Sequence, residues 1–197
     1  MARLIKNIKD RIFSERYDEL TIRSLRLSAQ VLGLAFINTV RVDKFSASIN
    51  SQKGKTEQSG SVLNYEFFGN ANEHQGTLSA QRLCFILPYE AEARFTGKSA
   101  MERFQHYEAW KQLAINEFNA FDCDIAWNKE PKTDAEYQVN TDSLKVLMSY
   151  DLSCVHQILD ENRLLIMELT SHFLKFNSLT KQDLMPYVER VTKPQYI

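Results

Sequence analysis

Residues 25–37 read LRLSAQVLGLAFI, and this run decides how the rest of the chain must pack. Asp18 is a suitable N-cap, so we predict a helix from residue 18 to about residue 39. A helix that is apolar on most of its sides is buried, whereas a surface helix has one polar face. We therefore expect this helix to be the central element of the core. The apolar residues of this helix, which occupy most of its sides, are Leu25, Val31, Leu32, Leu34, Ala35 and Ile37.

In two short segments after this helix, apolar and polar residues alternate as they do in β-strands. They cover residues 40–49 and 62–68, and a polar stretch with two glycines separates them. The alternation of the first segment slips once, at Lys44. Such a pair predicts an antiparallel hairpin with a long loop. The alternative is an all-α bundle in which residues 40–68 are irregular.

The rest of the chain has helical periodicity. Pro88 lies inside the first of these helices and should kink or split it, and Gly97 should end it. Ser99 and Glu102 have the spacing of a capping box, as Thr180 and Asp183 do before the last helix. We expect the long third helix to bend near Asp151 or Asn162, and residues 122–140 to form a loop or lid. The predicted helices cover residues 77–95, 99–121, 141–176 and 180–191.

The length of 197 residues favours a single domain of class α+β, mostly α-helical: a helical bundle with a small antiparallel β-hairpin near the N-terminus. Its parts are an amphipathic N-terminal helix in residues 1–17, the central helix and hairpin in 18–72, and the helical part in 73–197.

Bulk properties exclude several classes of function. Residues 1–50 carry nine Lys/Arg against five Asp/Glu, too sparse a basic field for nucleic-acid binding. The longest strongly apolar uncharged run has 14 residues, Leu27 to Val40, and a membrane span needs about 20. The three cysteines are far apart in the sequence, which predicts no disulfides and a reducing compartment, the cytoplasm. They are Cys84, Cys123 and Cys154.

Two runs resemble a known family. Residues 86–97 (ILPYEAEARFTG) are similar to the peptidase domain of FtsH-type membrane AAA proteases, in which an Ala- and Glu-rich helix ends in Thr-Gly. The run His156 to Val191 resembles the closing helical hairpin of that domain. The resemblance implies a central metal-binding helix followed by an extended hairpin, in agreement with the order of elements above.

The residues that perform the family's chemistry do not carry over. Its zinc helix needs His-Glu-x-x-His, and the matching position, Leu27 to Val31, has no histidine and no glutamate. The family's third ligand, an aspartate, falls on Gln105. We therefore expect no zinc peptidase activity, no catalytic residues and no cofactor. Gln30 and Gln105 would line a vestigial cleft. The sequence also lacks the Gly-x-x-x-x-Gly-Lys-Ser/Thr loop of the AAA motor.

An alternative is a metal-dependent hydrolase. Glu102 and His106 are four residues apart on one predicted helix, and so are Glu168 and His172. Together the two pairs could form a two-Glu, two-His metal site of helix-bundle type. The competing interpretation is an ordinary i,i+4 interaction on each helix surface.

The acidic segment 122–140 offers a surface for a protein partner. Trp127 and Tyr137 lie among acidic residues that include Asp122 and Asp124, and tryptophan often anchors an interface. The competing interpretation is a connector with Trp127 folded onto the core. These patterns predict a non-catalytic binding or regulatory protein on a peptidase-like scaffold, such as an inhibitor or adaptor in a bacterial or mobile-element context.

Overall fold

The computed structural model of the protein describes residues 18–35, 40–49, 61–67, 75–97 and 103–192. Helices dominate these residues, which confirms the mostly helical class. The helix predicted within residues 1–17 lies outside them. In chain order the elements are α1 (Glu19–Ala35), β1 (Val40–Ile49), β2 (Ser61–Phe67), α2 (Gln75–Thr96), α3 (Arg103–Ala120), α4 (Asp134–Glu161), α5 (Arg163–Phe176), β3 (Ser178–Leu179) and α6 (Lys181–Val188).

Helix α1 begins where the sequence predicts it. The Asp18 carboxylate accepts a hydrogen bond from the Thr21 backbone N–H at 2.7 Å, as an N-cap does. The helix is buried on several sides, and Gly33 lets it approach α2 closely, because a Cβ there would lie 2.2 Å from Leu87 Cδ1. The end predicted at residue 39 is not settled, since residues 36–39 lie outside the described part.

The strands pair antiparallel in the order β2-β1-β3. Val40 is opposite Phe67, and Ile49 is opposite Ser61. The register shifts between Arg41 and Ser46, the interval in which Lys44 interrupts the sequence alternation. The connection over residues 50–60 lies outside the described residues, so the hairpin as a whole stays a prediction.

Helix α2 is continuous through Pro88, so the proline does not split it, and the alternative of a kink at Pro88 stays a prediction. Its end at Gly97 is confirmed, because Gly97 has a φ of +69° and its N–H bonds the Ala93 carbonyl at 3.0 Å. The capping box predicted at Ser99 and Glu102 lies outside the described residues.

The loop predicted over 122–140 is shorter than expected. Helix α4 begins at Asp134, and the connector between α3 and α4 covers only residues 121–133. Thr133 and Glu136 form a capping box: the Glu136 carboxylate accepts from the Lys132 and Thr133 N–H groups at 2.7 and 2.8 Å. The start predicted at Thr141 is wrong, because Thr133 and Glu136 already supply the capping box that begins the helix.

The long C-terminal helical stretch breaks at Asn162, one of the two predicted positions. The Asn162 side chain donates to the Thr192 carbonyl at 3.0 Å and accepts from the Thr192 N–H at 2.9 Å. This reciprocal pair fastens the end of the described chain to the junction of α4 and α5. The last helix follows Thr180, whose N–H and hydroxyl donate to the Asp183 carboxylate, as the capping spacing predicts.

Buried apolar side chains form two clusters. The main core joins α1, α2, α5, α6 and the second half of α4. The second core joins α3, the connector and the first half of α4, with Trp110, Ala114, Phe118, Leu144 and Leu147 at its centre. None of the described helices combines the length and apolar character that a membrane crossing requires.

Candidate functional site

The sequence resemblance maps the peptidase zinc helix onto Leu27 to Val31, and three of these five residues belong to the main core. Leu27, Ala29 and Val31 are fully buried, and so is Ser28, whose hydroxyl lies 3.1 Å from that of Thr170 on α5. Gln30 alone of the five is partly exposed. This face of α1 therefore packs against neighbouring helices, and it presents no pair of ligands to a shared point.

Gln30 has a structural task in α2. A proline has no N–H, so Pro88 leaves the carbonyl four residues earlier, that of Cys84, without its helical donor. The Gln30 amide donates to that Cys84 carbonyl at 3.3 Å. An unsatisfied carbonyl in a partly buried helix is costly, and this bond explains why α2 tolerates Pro88. The side chain of Gln105, the other residue assigned to the vestigial cleft, lies outside the described residues.

A buried ionic network lies between the two cores, and the sequence did not indicate it. Arg82 of α2 donates from Nε and Nη2 to the Asp151 carboxylate of α4 at 2.8 and 3.1 Å. Its Nη1 forms a salt bridge with Glu117 of α3. Trp110 Nε1 donates to Asp151 at 2.8 Å, and the Ser79 hydroxyl lies 3.3 Å from Glu117 Oε1. One guanidinium thus ties three helices together, and Arg82, Glu117 and Asp151 are all at most 4% exposed.

Two further polar pairs join α2 to α4. The His156 imidazole lies 3.0 Å from the buried Glu90 carboxylate, and Arg94 forms a salt bridge with Asp160. Exposure increases from the Arg82–Asp151 pair to the Arg94–Asp160 pair, in which both side chains are at least 40% exposed. These pairs set the relative position of the two helices.

The Glu/His pairs of the hydrolase alternative are only partly described. Glu168 forms a bidentate salt bridge with Arg190, at 2.7 and 3.1 Å, and this hydrogen bonding lowers the pKa of Glu168. His172 Nδ1 lies 2.7 Å from the Tyr187 hydroxyl. His172 therefore joins α5 to α6, and Glu168 joins α5 to the residues that follow α6. Glu102 and the side chain of His106 lie outside the described residues, and within those residues no three His, Cys, Asp or Glu side chains gather as a metal site would require.

The cysteines have the properties expected of unreactive thiols. Burial raises the pKa of Cys84 to about 12, and it also raises the pKa of Cys154 and of Cys123. None of these three cysteines takes part in a disulfide bond. A thiolate is the reactive form of cysteine, so raised pKa values disfavour nucleophilic catalysis at each of them.

The connector 121–133 is held against the second core. The Trp127 ring stacks on Phe118 with centroids 4.7 Å apart, and its Nε1 donates to Asn119 Oδ1 at 2.9 Å. Asn128 and Asn140 exchange two hydrogen bonds, at 2.8 and 2.9 Å. Trp127 is thus half-buried, as the connector interpretation predicts, while the acidic side chains Asp122 and Asp124 are exposed.

An apolar face lies exposed on α4. Val139, Val146 and Tyr150 are seven and four residues apart, so they lie on one side of the helix. Their exposed fractions are 39%, 57% and 49%. Tyr137, 57% exposed, lies on α4 too rather than on a loop. The sequence shows the apolar residue types of Val139, Val146 and Tyr150. Their alignment on one side of a helix follows only from the start of α4 at Asp134.

No known protein family matches the chain, and no curated protein does.

Proposed function

We propose that the protein is a non-catalytic binding or regulatory protein on a peptidase-like scaffold, and that its partner, another protein, binds along α4. The observation that carries the proposal is the exposed face of Val139, Val146 and Tyr150. We call these three residues the α4 face. Exposed apolar side chains aligned on one side of a rigid helix are typical of interaction sites.

Charge gives the partner a chemical description. Near the N-terminal end of α4 the connector and the first helical turns carry the acidic residues Asp122, Asp124, Glu130, Asp134 and Glu136 against Lys129 and Lys132. A net acidic border steers a basic surface toward the site, while apolar contact gives the complex its lifetime. The partner we propose has an apolar ridge beside basic residues. An inhibitor or adaptor in a bacterium or a mobile element would fit this description.

The peptidase-like scaffold rests on the sequence resemblance of residues 86–97 and 156–191. In the family it resembles, the helix matching α1 carries the zinc ligands, whereas here its residues pack into the main core and one of them, Gln30, stabilises α2. A binding role requires only that the scaffold be rigid.

Site-specific photo-crosslinking tests the α4 face. A photoreactive residue at Val146 should yield one discrete adduct in lysate, and the same residue at exposed Gln182 of α6 should not. Adding Val139→Lys and Tyr150→Lys should remove the adduct while the melting temperature changes little. Equal labelling from both positions, or an adduct that survives both lysines, would refute the assignment.

A further inference from the structure

One side of α4 is exposed along most of the helix. Its opposite side contributes Leu144, Leu147 and Val155 to the two cores. On the exposed side, the residues at successive positions four and three apart are all exposed, so they form one line along the helix surface. Tyr150, 49% exposed, borders this line. The residues of the line, which we call the α4 seam, are Ala135, Val139, Asp142, Val146, Ser149 and Ser153.

The spacing of the α4 seam matches that of a second α-helix. Steps of four and three residues average 3.5, the repeat at which two helices keep their side chains in contact along a common line. On a helix this repeat is about 5 Å, at 1.5 Å per residue. Side chains on one face of an extended strand recur every ~6.6 Å, so a strand would lose register along the seam. The seam from Ala135 to Ser153 is about 27 Å long, which requires a partner helix of five turns.

Short side chains let another helix approach closely. Alanine, valine, serine and aspartate occupy the α4 seam, and the one large side chain, that of Tyr150, lies beside it. Helix axes pack 8–10 Å apart, with the smaller distances where the side chains at the contact are small. A helix on the seam would therefore bury Val139 and Val146 and contact the Tyr150 ring with its flank.

The charge of this surface is concentrated at one end. Asp134 and the connector residues Asp122, Asp124 and Glu130 are exposed near the start of α4. Toward the other end, the next exposed carboxylate of α4 after Asp142 is that of Asp160, which forms a salt bridge with Arg94. Asp142 itself accepts a hydrogen bond from Lys145 at 2.8 Å. Acidic charge therefore lies beside the start of the seam and not beside its end.

We propose that the partner contributes one amphipathic α-helix that lies lengthwise along the α4 seam, with its basic residues at the end nearest Asp134. This inference rests on the proposed function, because it names the element of the partner that binds the same surface. Apolar residues of that helix pack against Val139, Val146 and Tyr150, and its lysines or arginines face the acidic connector. The opposite charges steer association, and the apolar contact determines the lifetime of the complex.

The register of photo-crosslinks tests the proposal. A photoreactive residue is placed at Val139, Val146 or Ser153 in three separate variants, which are illuminated in lysate, and mass spectrometry identifies the partner residue attached to each. Seven residues of α4 rise about 10.5 Å, and so do seven residues of a partner helix. The three attached residues should therefore lie in one segment of one protein, in steps of about seven. Lysine and arginine should be more frequent around the residue attached to position 139 than around that attached to position 153.

The outcomes separate this inference from the proposed function. Steps of about three residues, as an extended segment gives, or attachments in separate segments would overturn the helix while the binding surface on α4 stands. Attachment to a second copy of this chain would overturn the proposed partner. No adduct from any of the three positions would overturn both proposals. The matched control is Thr141, exposed on another side of α4, where a photoreactive residue should give no adduct.

A charge reversal tests the orientation. Asp122→Lys with Asp124→Lys, added to the variant with a photoreactive residue at 146, should lower the adduct yield at short illumination by about threefold or more, because a basic partner is then repelled. Glu161→Lys, at the exposed far end of α4, is the control and should change the yield much less. Equal effects of the two changes, or none from either, would refute the orientation.

Discussion

At the scale of single residues, the pair Gln30 and Pro88 shows how a tertiary contact repairs a local defect. The proline removes one backbone donor from α2, and a side chain from α1 supplies another to the Cys84 carbonyl. The glutamine could not be assigned this task from the sequence, because 54 residues separate it from Cys84. The hypothesis of a vestigial cleft placed Gln30 in the lining of the cleft and did not include its hydrogen bond to the Cys84 carbonyl.

A double-mutant cycle measures this contact. Gln30→Ala should lower the free energy of unfolding by about 1 kcal/mol, because it leaves the carbonyl without a donor. In a Pro88→Ala background the same change should cost much less, since residue 88 then supplies its own N–H. Chemical denaturation of the four proteins gives the coupling, and Gln112→Ala at an exposed site is the control. Equal costs in both backgrounds would contradict this role.

Trp127→Ala distinguishes the two interpretations of the connector. The stacking on Phe118 and the bond to Asn119 predict a loss of about 2 kcal/mol of stability, and thus a fall of several degrees in the melting temperature. Tyr137→Ala, at an exposed site, should leave the melting temperature nearly unchanged. Thermal unfolding of both variants decides the matter. A Trp127 variant with unchanged melting temperature would favour the anchor interpretation.

At the scale of elements, helix ends are where local sequence predicted best. Gly97 and the Thr180–Asp183 pair end and begin helices as their residue types require. The start of α4 obeys the same rule, because Thr133 and Glu136 have the Thr-x-x-Glu spacing of a capping box and lie before the predicted start at Thr141. Since a cap depends on only three or four consecutive residues, a local sequence pattern is enough to predict where a helix begins or ends.

The capping box at the start of α4 should give the free energy of unfolding a defined dependence on pH. Thr133→Ala should cost about 1 kcal/mol, the usual value for an N-cap. Hydrogen bonds from Lys132 and Thr133 lower the pKa of Glu136 below its ordinary value of 4.5. The ionised carboxylate therefore stabilises the folded state above pH 4.5, and this contribution disappears as the pH falls through the lowered pKa.

Glu136→Gln should consequently reduce the difference in stability between pH 6 and pH 3. Urea denaturation of wild type and variant at both pH values measures that difference. The exposed Glu130, within the connector, provides the matched control through Glu130→Gln. An unchanged pH response in Glu136→Gln would contradict the proposed role of the carboxylate.

At the scale of the whole molecule, the strongest prediction concerns metal. Residues 27–31, onto which the sequence resemblance maps the zinc helix, contain no histidine or glutamate and are mostly buried, so chelation should leave the structure intact. We expect the melting temperature to change by less than about 1 °C on treatment with EDTA, since loss of a structural metal costs far more. Differential scanning calorimetry, with elemental analysis of the purified protein, checks this. Stoichiometric zinc whose removal lowers the melting temperature would show that the ligand set was misread.

Residue types and their periodicity predicted the mostly helical class, the buried character of α1 and the lack of a His-Glu-x-x-His motif, and they narrowed the bend of the long helix to Asp151 or Asn162. These features depend on residue type and on periodicity within a few turns, which a single chain displays directly. The packing of the helices brings Arg82 to Asp151, 69 residues away in the sequence, and brings the Gln30 amide to the Cys84 carbonyl. It also decided which side of α4 faces solvent. Contacts between distant residues depend on how all the helices pack together, and no local pattern encodes that arrangement.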